Sequence, residues 1–229
     1  MPRRLRLQIA GLPVHVVQRG VNRGRCFDGV VAYHRYLTIL EDVAREQECD
    51  VHAYVLMTNH VHLLMTPRRL DSVSAVMKNL GQRYVQEFNR AKSRTGPLWE
   101  GRFHSSLVES AGYLLRCQRY IELNPVRAGM VSCPERYRWS SYPINALGEI
   151  STLITAHSVY SGLASTADER QAAYRRLFGA HVDSEIQSIR HALNAGYPLG
   201  GMAFLAELRK RDPRLVAPHR GRPRRAKDA

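Results

Sequence analysis

The chain has 229 residues, with 34 Lys and Arg against 20 Asp and Glu and a formal net charge of +14 at pH 7. This length can bury one substantial core with a small second domain beside it. A positive surplus of this size favours a polyanionic partner, most economically nucleic acid. No apolar run approaches the ~18 residues of a membrane span, so we expect no membrane insertion.

Cysteine usage and the start of the chain indicate a compartment. The four cysteines include no Cys-x-x-Cys pair, which argues against a disulfide scaffold or a cysteine-rich zinc site. The basic start is followed by an apolar run that is too short for a signal peptide. We therefore expect a cytoplasmic protein that associates with the nucleoid.

The hydrophobic pattern predicts a β-α-β-β-α-β core. Strands are expected over 14–19 and 103–109, with two strands, or one kinked strand, over 54–66, and helices over 31–48 and 71–94. This order is the ferredoxin-like split βαβ arrangement of the α+β class, in which both helices cover one face of the sheet. The other face stays free for a ligand or another helix.

The pattern changes after this core. A third helix is predicted over 112–123 and is ended by Asn124-Pro125. Short helices follow over about 151–162, 167–179, 183–194 and 200–210. We expect three parts, which are a core of residues 1–148, a helical extension of residues 149–212 and a disordered basic tail of residues 213–229.

His60 and His62 stand two apart on a predicted strand. Alternate strand residues face the same side, roughly 6.5–7 Å apart, so both imidazoles project together. Two histidines on a rigid strand can hold one metal ion, although the same spacing also arises by chance on a half-buried strand. His15, His52 and His104 have no placed partner and stay outside the predicted site.

Tyr120 and Asn124 are four positions apart, so they share a face of the third helix one turn apart. Against a sheet that carries two histidines, Asn124 could supply an oxygen ligand and Tyr120 would stand beside the ion. Two imidazoles and one amide oxygen leave coordination positions open, as a catalytic site requires, and permit Mg²⁺ or Mn²⁺. A tyrosine on a helix is also a common core residue.

This set of groups suits phosphodiester chemistry. A divalent ion on the non-bridging oxygens neutralises developing charge, and a tyrosine can then attack phosphorus to form a covalent phosphotyrosine. That intermediate conserves the bond energy, so the strand can be rejoined without ATP. The basic loops suit holding a single strand by its phosphates.

Several motifs occur together in one order. They are Arg19-Gly-Val-Asn-Arg23, Ala53-Tyr-Val-Leu-Met-Thr-Asn-His60, Leu98-Trp-Glu-Gly-Arg-Phe103, Tyr120-Ile-Glu-Leu-Asn-Pro-Val-Arg-Ala-Gly-Met-Val131 and Trp139-Ser-Ser-Tyr142. Together with His62, they resemble the single-tyrosine HUH transposases, and more closely the REP-associated tyrosine transposases of bacteria, over roughly residues 5–148.

The resemblance implies cleavage and joining of single-stranded, hairpin-containing DNA on an HUH nuclease core. It implies that Tyr120 attaches to the 5′ phosphate and leaves a free 3′ hydroxyl, while His60, His62 and Asn124 hold Mg²⁺ or Mn²⁺. Some relatives have Gln in place of Asn124, so the shorter side chain could change the metal geometry or affinity. Relatives act as dimers or as monomers, and we expect a site built within one chain.

Candidate DNA contacts lie in the loops and in the tail. The candidates in the loops are Arg19, Asn22, Arg23 and Arg102. The alternative interpretation of these residues is a solvated basic surface that does not contact DNA. The last 21 residues hold nine Lys and Arg and two Asp, a net charge of +7. Within them, Arg220-Gly-Arg222-Pro resembles an AT-hook core that enters the minor groove. The alternative is a polybasic tail that grips phosphates without preference.

Three functions compete. The first is a metal-dependent tyrosine transposase, favoured because His60, His62, Tyr120 and Asn124 are all present. The second is a domesticated, non-catalytic protein that recognises hairpin repeats. The third is a metal-dependent phosphodiesterase that releases its product by hydrolysis, with Tyr120 in a structural role.

Overall fold

The computed structural model describes residues 8–179 and 183–213. The strands within them are β1 (Val14–Arg19), β2 (Cys49–Leu56), β3 (His60–Pro67) and β4 (His104–Leu107). The helices of the first half are α1 (Val30–Glu46), α2 (Ser72–Ala91), α3 (Ser110–Glu122) and α4 (Asn124–Arg127). The later helices are α5 (Tyr142–Leu147), α6 (Ser158–Ser161), α7 (Ala167–Arg176), α8 (Asp183–Ala195) and α9 (Met202–Arg211).

The strands form one antiparallel sheet in the order β2-β3-β1-β4. Because α1 follows β1 and α2 follows β3, the predicted ferredoxin-like arrangement is confirmed. The central strands pair from Val14 opposite Met65 to Arg19 opposite His60. The end of β1 and the beginning of β3 therefore meet at one end of the sheet.

Helices α1 and α2 cover one face of the sheet. Alternate residues of the two central strands, among them Val16, Leu63 and Met65, are fully buried on this side. The helices meet them with apolar residues at helical spacing, such as Tyr36 and Leu40 of α1. Fully burying one large apolar side chain stabilises the fold by roughly 1.5–3 kcal/mol, so this layer contributes much of the folding free energy.

The opposite face, which the sequence left free for a ligand or a helix, is covered by α3 and α8. Val55 and Leu64 of the sheet pack with Leu114 and Ile121 of α3 and with Ile189 of α8. Side chains that project from this face of β3 consequently meet a helix.

Later segments of the chain cover parts of both sheet edges. On the β2 edge, Leu56 N donates to Trp139 O at 2.9 Å, and on the β4 edge, Leu199 N donates to Leu107 O at 2.7 Å. This pairing satisfies backbone groups that would otherwise be open to another chain.

Beyond residue 148 the chain is helical, as expected, but the first predicted helix is shorter. The helix expected over 151–162 is reduced to α6, whereas α7, α8 and α9 lie close to their expected positions. Ile189 of α8 and Leu208 of α9 are buried in the core layers, so this segment packs on the sheet. No helix among the described residues has the length and apolar character needed to cross a bilayer.

One buried carboxylate joins α3 to α5 and α7. Glu122 accepts hydrogen bonds from the Ser141 hydroxyl at 2.6 Å, from Asn145 Nδ2 at 2.9 Å and from the Tyr174 hydroxyl at 2.8 Å. Burial raises the pKa of Glu122 to about 7, and the three hydrogen bonds offset part of that rise because they favour the ionised form.

Replacing Glu122 with Gln tests this network. The carboxyl ionises near pH 4.5 in the unfolded chain and near 7 in the fold, so its contribution makes the protein less stable as the pH rises through this window. The shift corresponds to at most about 3 kcal/mol. Glu122→Gln should lose that part of the pH dependence, as measured by chemical denaturation at both ends of the window. Glu207→Gln, on the exposed side of α9, should keep the wild-type slope. Equal slopes in wild type and Glu122→Gln would contradict the raised pKa.

Candidate active site

His60 and His62 project from the same face of β3, as their spacing predicts. Their ring centroids lie 5.1 Å apart, with the rings 74° from parallel. Val61 and Leu63 alternate with them and are fully buried on the α1 and α2 side. The strand therefore holds the imidazoles toward α3 through its apolar residues on the other face.

A neighbouring side chain sets the orientation of the His60 ring. Its Nδ1 lies 2.7 Å from Asn59 Oδ1, and Asn59 Nδ2 in turn donates to Arg23 O at 3.2 Å. Burial, with a smaller contribution from Arg19, lowers the pKa of His60 to about 4. The ring is neutral at pH 7, and because Asn59 Oδ1 can only accept, Nδ1 donates and Nε2 keeps its lone pair.

His62 is buried and paired with another histidine. Its Nδ1 lies 2.8 Å from His15 Nε2, and the two rings stack with centroids 5.1 Å apart. Burial lowers the pKa of His62 well below its ordinary value, and nearby positive charges lower it further. Burial and the Arg127 charge lower the pKa of His15 to about 3. At pH 7 the site therefore contains neutral imidazoles.

Tyr120 reaches this cluster from the opposite layer. Its ring lies edge-on to His15 and to His62, with both centroid distances 5.8 Å. The Arg127 guanidinium carbon lies 4.3 Å from the centre of the tyrosine ring. The structure thus brings together a phenol and a histidine pair that are about sixty residues apart in the chain.

Asn124 lies just beyond the helix of Tyr120, in agreement with the helix end predicted at Asn124-Pro125. Helix α3 ends at Glu122, and Asn124 begins the short α4. Pro125 has no N–H for the Ile121 carbonyl, and Asn124 Nδ2 takes that place at 3.2 Å while also donating to Tyr120 O at 3.0 Å. The Asn124 side-chain oxygen makes no hydrogen bond within the described residues.

The predicted metal ligands are two imidazoles and one amide oxygen, namely His60, His62 and Asn124. No group of three or more His, Cys, Asp or Glu within residues 8–179 and 183–213 is arranged to hold a metal. An ion on His60 and His62 would need the Asn124 oxygen and further oxygens from water or phosphate. The charged side chains acting on the imidazoles are Arg19 and Arg127, so a phosphate beside the ion is favoured electrostatically.

The predicted loop contacts lie at the same end of the sheet as His60. Arg19 pairs with His60 across the strands, and the loop after it is held against the β2–β3 turn by Gly20 N donating to Asn59 O at 2.9 Å. All four candidates are exposed, namely Arg19, Asn22, Arg23 and Arg102. Arg220 and Arg222 lie outside the described residues.

The sequence reasoning omitted two residues of this cluster, His15 and Arg127. His15 lies on the same side of β1 as Val17, which pairs with His62. Arg127 follows Tyr120 by seven positions, close to two helical turns. Both periodicities are visible in the sequence, but the register that sets His15 beside His62 is not.

Substitution of Gly20 tests whether the loop conformation is needed. A Cβ on Gly20 would lie 2.4 Å from Gly24 O and 2.7 Å from Cys26 Sγ, so Gly20→Ala should displace the loop and destabilise the protein by about 1–3 kcal/mol. Gly81 in α2 has nothing within 4 Å of the same position, so Gly81→Ala should stabilise by about 0.5–1 kcal/mol. Urea denaturation measures both changes, and equal effects would contradict the steric argument.

Comparison with known proteins identifies the family of this chain. The chain matches the family model described as "Transposase IS200 like" over residues 8–124, more than half of its length. No curated protein sequence matches it.

Two solved structures are similar to the chain. A REP-associated tyrosine transposase bound to a REP hairpin has a TM-score of 0.56 and 18% identity, covering 69% of this chain and 93% of that chain. A candidate transposase from Deinococcus radiodurans has 26% identity and a TM-score of 0.38, covering 53% of this chain and 96% of that chain. The first shares the fold, and the second overlaps too weakly to support an argument. With the family match, the expected relationship is confirmed, and this chain belongs to the IS200-like transposase family.

Proposed function

We propose that this protein is a metal-dependent strand transferase that cleaves single-stranded, hairpin-containing repeat DNA and rejoins it through a covalent 5′-phosphotyrosine at Tyr120. The observation that carries the proposal is the contact of the Tyr120 ring with His62, which lies beside His60. A hydrolase would use water here and would not need a phenol beside the imidazoles.

In the proposed cleavage step, the Tyr120 oxygen attacks phosphorus and the bond from phosphorus to the 3′ oxygen breaks. The hydroxyl proton passes to water, and the 3′ oxygen takes up a proton and leaves as a free hydroxyl. The phosphotyrosine keeps the energy of the broken bond. Attack by another 3′ hydroxyl then joins the strands and releases Tyr120.

His60, His62 and Asn124 would hold Mg²⁺ or Mn²⁺, which polarises the non-bridging phosphate oxygens when bound. Both imidazoles are neutral at pH 7 because their pKa values are lowered, so neither has to lose a proton before it binds an ion. The unused side-chain oxygen of Asn124 would complete the set.

Positive charge around the tyrosine supports a phosphodiester substrate. Arg127 Nε and Nη1 are buried without a hydrogen-bond partner among the described residues. A buried unsatisfied N–H costs about 1–3 kcal/mol, which an incoming phosphate oxygen would offset. Exposed groups at the rim would contact flanking phosphates, namely Arg19, Asn22, Arg23 and Arg102.

The proposed partner is hairpin DNA, which would place the protein at the nucleoid. The similar REP-associated transposase is bound to a REP hairpin, and Arg220 and Arg222 of the tail would add phosphate or minor-groove contacts. His62 and Tyr120 of one chain touch each other, which supports a site built within one copy and favours a monomer.

Replacement of the nucleophile tests the proposal. Labelled single-stranded DNA with a hairpin, incubated with the protein and Mg²⁺ or Mn²⁺, should give a covalent protein–DNA band on a denaturing gel. Tyr120→Phe lacks the attacking oxygen and should lower its formation by at least about 10³-fold. Tyr113→Phe, a half-buried tyrosine of the same helix, should keep the band.

The same gel separates the competing functions. Cut DNA without a covalent band, unaffected by Tyr120→Phe, would overturn the proposal in favour of a phosphodiesterase. Hairpin binding without cutting would favour the non-catalytic DNA-binding protein.

Metal removal should separate chemistry from binding. Chelation by EDTA should abolish the covalent band but leave most hairpin binding, because the exposed arginines at the rim contact phosphates without an ion. Excess Mn²⁺ should restore the band. A gel-shift titration run beside the denaturing gel measures both effects, and a band that persists in EDTA would contradict the metal requirement.

A further inference from the structure

The hydrogen bond between the buried residues His15 and His62 has no role in the proposed reaction as described above. His15 Nε2 lies 2.8 Å from His62 Nδ1, and His15 is 1% exposed. Two neutral imidazoles can share only one proton in such a bond, so one ring donates and the other accepts.

The direction of this hydrogen bond decides whether His62 can bind an ion. If His15 Nε2–H donates, His62 carries its own proton on Nε2 and has no free lone pair there. If His62 Nδ1–H donates, its Nε2 keeps a lone pair, which no described residue engages. His62 can therefore bind a metal through Nε2 only when its proton is on Nδ1.

We propose that His15 is a positioning residue that accepts the Nδ1 proton of His62 and thereby holds the His62 Nε2 lone pair ready for the ion. This inference rests on the proposed metal site. Ligand histidines commonly donate their second N–H to a neighbouring acceptor, which sets both the tautomer and the ring orientation.

Two other histidines of the sheet support this assignment, because His60 resembles His62 in its hydrogen bonding and His52 differs from it. His60 has the same arrangement, since its Nδ1 is bonded to Asn59 Oδ1 and leaves Nε2 free. His52 uses both nitrogens, with Nδ1 bonded to Thr155 O and Nε2 to Thr66 Oγ1, as a purely structural histidine would. His62 follows the pattern of His60.

The ring spectrum of the metal-free, full-length protein tests the proposal directly. In a long-range ¹H–¹⁵N correlation of the histidine rings, assigned with His15→Gln and His62→Gln variants, we expect a proton on His62 Nδ1 and an unprotonated Nε2 on His15. A proton on His62 Nε2 would overturn the proposal. This measurement is made on the wild-type protein and needs neither DNA nor activity.

Metal affinity provides the second test, in the Tyr120→Phe background with hairpin DNA bound. Free Mn²⁺ measured by electron paramagnetic resonance should show an affinity lowered about 10–100-fold in His15→Phe, which lacks an acceptor. His15→Gln, whose amide oxygen can accept the proton, should recover most of the affinity. Equal affinities in His15→Phe and wild type would overturn the proposal.

A control separates positioning from packing. His52→Phe also removes a buried imidazole from the sheet, but its ring makes no contact with His62, so it should lower stability and leave the Mn²⁺ affinity unchanged. If wild type bound no Mn²⁺, the proposed metal site would fail, whereas the failure of the His15 assignment would show as the wrong His62 tautomer.

Discussion

The site depends on one contact between layers, that of the Tyr120 ring with two imidazoles of the sheet. One polar contact joins these layers, with Gln118 Nε2 donating to His52 O at 3.2 Å, but most of their contact is apolar. Leu114 and Ile121 of α3 are fully buried against the same sheet face, and their burial sets the height of the helix above the strands. Tyr120 is consequently positioned by the same apolar packing that stabilises the fold.

The charged side chains that act on the imidazoles of the site are all positive. Burial keeps its imidazoles uncharged, and the charged side chains that act on them are arginines. A dication alone would be repelled by Arg19 and Arg127, whereas a phosphate would be attracted by both arginines. The arrangement favours binding of the ion and the DNA together.

The fold was largely predictable because its signals are local. Strand β1 occupies the predicted residues, and the alternation of apolar residues around His60 and His62 correctly indicated that both rings share a face. The residue pattern suggested that Tyr120 stands beside these histidines, the family resemblance implied the same, and the Tyr120 ring lies edge-on to His62.

What could not be predicted depends on tertiary pairing or on a single side chain. His15 joins the cluster because of the register between β1 and β3, which periodicity does not report. Asn124-Pro125 signalled the end of a helix, but not that the amide would replace the missing proline N–H. The roles of Arg19, Asn22, Arg23 and Arg102 remain predictions, since exposure alone does not identify a DNA contact.

The junction after α3 has a mechanical consequence. The Tyr120 carbonyl accepts hydrogen bonds from Asn124 Nδ2 and from Arg127 Nη2, so later residues anchor the backbone of Tyr120. With its backbone anchored, Tyr120 keeps the rotations about its own side-chain bonds, and in the proposed reaction the DNA strand would have to move to it. The nucleic acid would then have to be flexible. An unstacked strand at the base of a hairpin stem can bend in this way, whereas a stiff duplex cannot. Choice of substrate would therefore begin with how readily the DNA bends.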